Sequence, residues 1–268
     1  NLNVVAAPVS GLIAATSIRG LGTGQPSIWM DPAIGMYVDG VFVGKNQGAL
    51  LDMVDLQRVE VLRGPQGTLF GRNTLGGAIN FVTRQPSGQF SGQVGIEAGN
   101  YGRLVNKVSI DTNKINDVLS LTIAGRKEKQ DGWLPNANSV DNWGNRNREA
   151  FKLNAKVDVS KDTKFFYSLD KSDISETTTP VSLIKKTGYC TDFGLAVSAG
   201  LGCYPSYFNP GLGAAMTPYI QTGVPTSTNS TFAPIQAMKV TGHNWTAETA
   251  IDKNNQLKYI GSYRTMMY

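Results

Sequence analysis

Between Phe90 and Tyr263 apolar and polar residues alternate one by one in segment after segment, and a period of two admits little besides antiparallel sheet. The cleanest stretch is Phe151-Lys-Leu-Asn-Ala-Lys-Val-Asp158, apolar at every odd position and polar at every even one. Phe90, Val94, Ile96 and Ala98 form a first set, Leu104–Asp111 with Val108 and Ile110 a second, and Leu119, Leu121 and Ile123 a third. Phe165, Tyr167 and Leu169 follow, then Trp245, Ala247, Thr249 and Ile251, then Leu257, Tyr259 and Tyr263. These make about seven strands of roughly 8–11 residues, the length a tilted strand needs to cross a bilayer. Asn113–Asp117, Val159–Thr163 and Asp252–Asn255 are short connections, whereas Glu128–Arg148 and Glu176–His243 are long; Gly99–Gly102 is a short turn on the long side. Short turns at one end and long loops at the other mark an outer-membrane barrel. A β-sandwich shares the alternation but gives no reason for a loop of about 70 residues. There is no apolar run of about 18 residues, so no transmembrane helix is expected; barrel strands need none. An odd strand count leaves an open edge in lipid, at several kcal/mol per unsatisfied backbone group, so the wall is expected to continue beyond these strands.

Upstream of Gln85-Pro86-Ser87-Gly88 the pattern differs. Two strand candidates, Arg58–Leu62 and Ala78–Thr83, flank a loop holding Gly64, Pro65, Gly67, Gly71, Gly76 and Gly77. A phosphate cradle needs GxxxxGK[ST], and here Arg72-Asn73-Thr74 follows Gly71 with no lysine, so nucleotide binding is not expected. Ala33–Phe42 reads as a hairpin turning at Asp39-Gly40. Asp52–Gln57 is expected to make a short helical turn, and Ile18-Arg19-Gly20 a strand end. Val4–Ala7 and Leu12–Ala15 are apolar runs too short to separate helix from strand.

Glu60 and Asp39 could serve as acid and base, but His243 is the sole histidine, so neither a Ser-His-Asp triad nor a metal cluster can be assembled; structural hydrogen bonding is the expected role. Cys190 and Cys203, with twelve residues between them in the longest loop, read as one disulfide if that loop meets an oxidising exterior, worth roughly 3 kcal/mol; two free thiols are the alternative. The net charge of +5 is modest.

Three blocks in order carry a specific resemblance: Ile18-Arg19-Gly20; Met36-Tyr-Val-Asp39-Gly40-Val41; and Gln57-Arg-Val-Glu60-Val-Leu-Arg63-Gly64-Pro65, continued by Leu69-Phe-Gly71 and Gly76-Gly77-Ala-Ile-Asn80-Phe-Val-Thr-Arg84. The chain resembles the TonB-dependent outer-membrane receptors, whose plug follows ERVEVLRGP-x-G-x-LYG-x-x-x-x-GG-x-INxVT[RK]; Gln57 and Phe70 are the departures. The resemblance implies a mainly β protein with a mixed α/β plug, residues 1–86, inside an antiparallel transmembrane β-barrel whose first strands occupy 87–268. Plugged barrels have 22 strands, so about two thirds of the wall is expected outside this sequence. The resemblance further implies a protein of the Gram-negative outer membrane, in contact with its lipid and lipopolysaccharide. That protein is not an enzyme, has no cofactor and no nucleic-acid partner. It imports a scarce, large ligand, most commonly a ferric siderophore and in other members haem, cobalamin or oligosaccharide, driven by TonB through a segment preceding Asn1.

Residue by residue, Arg19 and Arg63 match the arginines that lock the plug to wall glutamates, here on strands outside this sequence; ordinary surface arginines are the alternative. Trp29, Met30, Lys45, Asn46 and Gln47 fall on the plug loops that touch ligand in this family, and packing against the wall would suit them equally. Trp133, Trp143 and Tyr204 lie on outer loops, as ligand contacts or interfacial aromatics. Two rival functions stand beside import: a surface adhesin or phage/colicin receptor without active transport, and a fragment of a soluble secreted enzyme.

Overall fold

The computed structural model describes residues 2–7, 10–22, 31–44, 54–136, 142–178 and 235–268. Three sheets result. The first is a small antiparallel sheet of β1 (Leu2–Ala7), β2 (Ser10–Ile18) and β3 (Leu21–Gly22), so both short N-terminal apolar runs are strands. β2 ends where expected, at Ile18, and Arg19-Gly20 turns the chain with both residues at positive φ.

The second sheet has the order β5-β4-β7-β6, from β4 (Ile34–Val38), β5 (Val41–Val43), β6 (Leu56–Arg63) and β7 (Gly77–Thr83). Asp39 and Gly40, at φ +51° and +82°, form the two-residue turn of the expected hairpin. β4 and β7 pair in parallel, so β7 lies between two strands and is apolar along most of its length. The helical turn expected over Asp52–Gln57 is not made at its described end. Asp55 sits at φ +61°, and Leu56 already pairs with Thr83, because the hydrogen-bonding edge of β7 outweighs a weak local helix preference. Between β6 and β7 the glycine loop contains α1 (Gly67–Phe70), the sole helix among the described residues. Ala14, Ile18, Ile34, Met36, Val38, Val43 and Ile79 bury one core between these two sheets.

The third sheet is a seven-stranded antiparallel meander of β8 (Ser91–Gly99), β9 (Arg103–Asp111), β10 (Leu119–Gln130), β11 (Arg146–Asp158), β12 (Thr163–Thr177), β13 (Ile235–Ala250) and β14 (Gln256–Met267). The later strands outrun the expected 8–11 residues, reaching 13, 15 and 16 in β11, β12 and β13. The longest connection is correspondingly shorter than expected, residues 178–234. These strands continue past the apolar band into polar sequence, where one-by-one alternation fades but backbone pairing does not.

The two faces of this sheet are inverted relative to a water-soluble protein. One register row reads Ile110, Ile123, Leu153, Leu169, His243, Tyr263, on the face turned away from the N-terminal sheets. The adjacent row reads Asp111, Thr122, Asn154, Ser168, Asn244, Ser262, on the face turned towards them. Phe151 is 40% exposed while its polar neighbours Lys152 and Asn154 are each 4% exposed. Burial here selects polar side chains, the arrangement of a wall whose outer face meets hydrocarbon.

Candidate functional site

Two polar clusters and one apolar patch seat the N-terminal sheets against the concave face of the third. Arg84 follows β7 directly, and its N–H donates to the carbonyl of Asp55 (3.0 Å), which sets the two side chains together. The guanidinium donates through Nε to Asp55 Oδ1 (2.9 Å), through Nη1 to Asp111 and through Nη2 to Ser109 Oγ (2.7 Å). Asp111, fully buried on β9, also accepts from Ser91 Oγ (3.0 Å) and from Thr122. A buried carboxylate persists only when donors surround it, and Asp111 has three. The hydrogen bond to Asp55, helped by Asp111, holds the Arg84 pKa above its ordinary value. From β11, Asn154 Nδ2 donates to the Arg84 carbonyl (2.9 Å).

The second cluster forms at the Asp39-Gly40 turn. Asp39 accepts from the Thr83 N–H and from Thr83 Oγ1, both at 2.8 Å, and its Oδ2 lies 3.7 Å from Lys152 Nζ on the wall. Lys152 is the register partner of Asp170, which takes both terminal nitrogens of Arg264 (2.9 and 2.8 Å). The apolar patch sets Leu12 of β2 against Ile174, Met238 and Val240.

The motif residues hold the second sheet together. Asn80 donates to Glu60 (2.9 Å) and accepts from the Gly40 N–H (3.2 Å), while Arg58 donates to the other Glu60 oxygen (2.7 Å). The Asn80 hydrogen bond first, then Arg58, pulls the Glu60 carboxyl below its ordinary pKa. The loop starting Gly64-Pro65 is closed by the Gly64 N–H to Gly76 carbonyl bond (3.2 Å), and the Gly71 N–H caps α1 on the Gly67 carbonyl (3.0 Å). Tyr37 donates to the Phe70 carbonyl (2.6 Å) and packs edge-on against that ring. Gly77 has φ +144°, and a Cβ there would stand 2.3 Å from the Leu62 carbonyl oxygen. Gly77→Ala is expected to destabilise the plug of the full-length protein by about 1–3 kcal/mol, read as a lowered urea midpoint. An unchanged midpoint would show that this approach is not needed.

Arg19 and Arg63 are exposed, at the β2–β3 turn and the end of β6, and neither enters an ion pair among the described residues. Trp143 is buried against Leu134 in the 131–145 connection, whereas Trp133 is exposed. Trp29, Met30, Lys45, Asn46, Gln47, Cys190, Cys203 and Tyr204 lie outside the described residues. Arg84, Asp55, Asp111 and Lys152 escaped the sequence reading. Arg84 closes the quoted motif, and that was the available signal.

At the long-connection end the concave face turns basic. Glu128, 2% exposed, receives Arg103 Nε (3.0 Å), Arg126 and Arg146 Nη1 (3.5 Å), and Glu97 pairs with Lys107. Arg103, Arg126, Arg146 and Lys107 thus gather around these two carboxylates, a cluster of N–H donors whose chemistry suits an anionic ligand.

Residues 2–78 match the family model of the TonB-dependent receptor plug domain. Residues 2–78 thus form a TonB-dependent receptor plug domain. Over 75 residues it is 44% identical to the pesticin receptor of Yersinia pestis, covering 28% of this chain and 11% of that one. Over 96 residues it is 34% identical to the iron-regulated outer membrane virulence protein of Vibrio cholerae, covering 33% and 14%. The fold matches the ferric yersiniabactin uptake receptor FyuA from Yersinia pestis with a TM-score of 0.73 at 19% identity, over 99% of this chain and 36% of that one. It also matches the pyoverdine receptor FpvA from Pseudomonas aeruginosa bound to pyoverdine, with a TM-score of 0.66 at 14% identity, over 99% and 34%. The chain therefore spans well under two thirds of the length of these relatives. Such receptors sit in the outer membrane and are transporters rather than enzymes.

Proposed function

We propose that the full-length protein imports a ferric siderophore across the outer membrane, with TonB supplying the energy. The observation that carries this reading is the inverted sheet: an apolar outer face, and a polar concave face filled by the plug. A plug held by polar contacts inside a lipid-facing wall suits a gate that moves, not a catalytic pocket. On this reading residues 1–86 are the plug and 87–268 begin the barrel. Ligand meets Trp29, Met30, Lys45, Asn46 and Gln47 together with the basic wall at Arg103 and Arg146. Binding then favours a plug state that TonB can engage, which requires a differential affinity between the two states. Arg19 and Arg63 lock to glutamates further along the wall, and Cys190 bonds Cys203 in the outer loop. The names of the relatives, an uptake receptor for ferric yersiniabactin and a receptor bound to pyoverdine, support an iron chelate as cargo.

The test is uptake of labelled ferric siderophores, haem, cobalamin and glycan in parallel, in cells with and without TonB. Ferric siderophore uptake is expected to fall to background when TonB is absent. Uptake independent of TonB, or confined to the other cargoes, would overturn the reading. A second role has support of its own, because relatives include a pesticin receptor and a receptor solved with pyocin S2. Bacteriocin sensitivity that persists in an uptake-dead variant would establish it.

A further inference from the structure

A cavity of about 30 Å³, room for one or two water-sized occupants, lies between the second sheet and the concave face of the wall. It sits in the short-turn half of the wall, away from the basic cluster at the long-connection end. Asp39 and Thr83 line it from the plug side, and Asn154 of β11, Ser168 of β12 and Asn244 and Thr246 of β13 from the wall. Asn154, Ser168 and Asn244 belong to one register row, so they stand side by side on the inward face. Asn154 and Asn244 are only 4% and 6% exposed, yet the amide oxygen of each has no hydrogen-bond partner among the described residues. The Asn154 amide cannot be turned round to cure this. Its Nδ2 donates to the Arg84 carbonyl (2.9 Å), and a flip would set oxygen against oxygen. Asn244 Nδ2 donates to Ser168 Oγ (3.3 Å). Two buried carbonyls without donors, lining one cavity, call for an occupant.

We infer that this cavity binds a monovalent alkali cation, which ties the plug to the wall. Its lining is rich in acceptors and its donors are largely committed. Thr83 Oγ1 is spent on Asp39, and the two amide nitrogens are spent on Arg84 and Ser168. A water molecule would answer the two carbonyls with its protons but leave its own lone pairs short of donors, whereas a cation takes acceptors only. Hard cations prefer oxygen ligands, and the two amide oxygens, the Ser168 and Thr246 hydroxyls and the Asp39 carboxylate are all of that kind. Each Asp39 oxygen accepts one hydrogen bond from Thr83 and keeps a further lone pair. Lys152 Nζ, 3.7 Å from Asp39 Oδ2, is too distant to hydrogen-bond it. Charge sets the valence: one carboxylate lines the cavity, and no lysine or arginine does. Asp39 comes from the plug and the amides from the wall, so displacing the plug dismantles the site and releases the ion.

The inference needs neither an assigned cargo nor TonB, so its failure leaves the import reading intact. Full-length protein in mild detergent is titrated with sodium or potassium chloride against N-methylglucamine chloride at constant ionic strength. The urea midpoint of the plug, read by protease cleavage within residues 54–84, is expected to rise saturably with at least one of the two ions. Asn244→Leu should raise the half-saturating concentration by about tenfold or more, since it removes one ligand oxygen. Asn244→Asp, which keeps an oxygen, should retain the response. Were Asn244 no more than an unmet carbonyl, leucine would shift the midpoint without altering its dependence on the ion. Crystals of the full-length protein soaked in thallium(I) are expected to show an anomalous peak between the Asn154 and Asn244 oxygens, lost in Asn244→Leu. A midpoint indifferent to both ions, an equal response in wild type and Asn244→Leu, or a water and no thallium peak between the two amides would each overturn the proposal. Unchanged heat-modifiable gel mobility shows that the variants fold.

Discussion

Replacing Arg84 with alanine is expected to loosen the plug of the full-length receptor by about 3–5 kcal/mol. The loss exceeds that of one hydrogen bond because the partner is left behind. Asp111 is fully buried on β9 and would keep only Ser91 and Thr122 as donors, while Asp55 would lose the cation that links it to the wall. A stranded buried carboxylate must either remain charged at high cost or take up a proton. Arg84→Lys should recover part of the loss, since a lysine keeps the charge but cannot reach Asp55, Asp111 and Ser109 together with one planar fork. The measurement is a denaturant titration in detergent, followed by protease cleavage within residues 54–84. A double-mutant cycle with Asp111→Asn then separates the pair from its surroundings. Equal stability of Arg84→Ala and wild type would mean that the Asp39–Lys152 contact and the apolar patch around Leu12 seat the plug without it.

The second large effect belongs to the outer face. Leu153 faces outward between Ile123 and Leu169, in the middle of the apolar band. Leu153→Arg should cost about 2–4 kcal/mol when folding is measured into phospholipid vesicles. Asn147→Arg, on the same strand and face but beyond the band, should cost at most about 1 kcal/mol. A uniform penalty at both positions would mean that no depth gradient exists and that the face does not lie in a bilayer.

The sequence displayed the wall because alternation is a local property: each outward Phe, Leu or Val announces its face whatever it pairs with. The Asp39-Gly40 hairpin was visible for the same reason, its turn chemistry being confined to two residues. The seam was not visible. Asp111 and Lys152 occupy polar positions that alternation assigns only to a face, and their meaning depends on Arg84 and Asp39 arriving from the other sheets. Leu56 and Gln57 depart from a helical turn because their conformation is set by β7, a strand whose pairing no local pattern reports. The ends of β12 and β13 were cut short because, beyond the hydrocarbon, both faces are polar and the pattern falls silent.

Among the described residues each wall strand pairs only with its neighbours in sequence, and the contacts that seat the plug come from β8 to β14, the strands made directly after it. The stopper can therefore be fitted while the wall is still an open trough. No later stage of assembly has to force a folded body through the mouth of a finished ring.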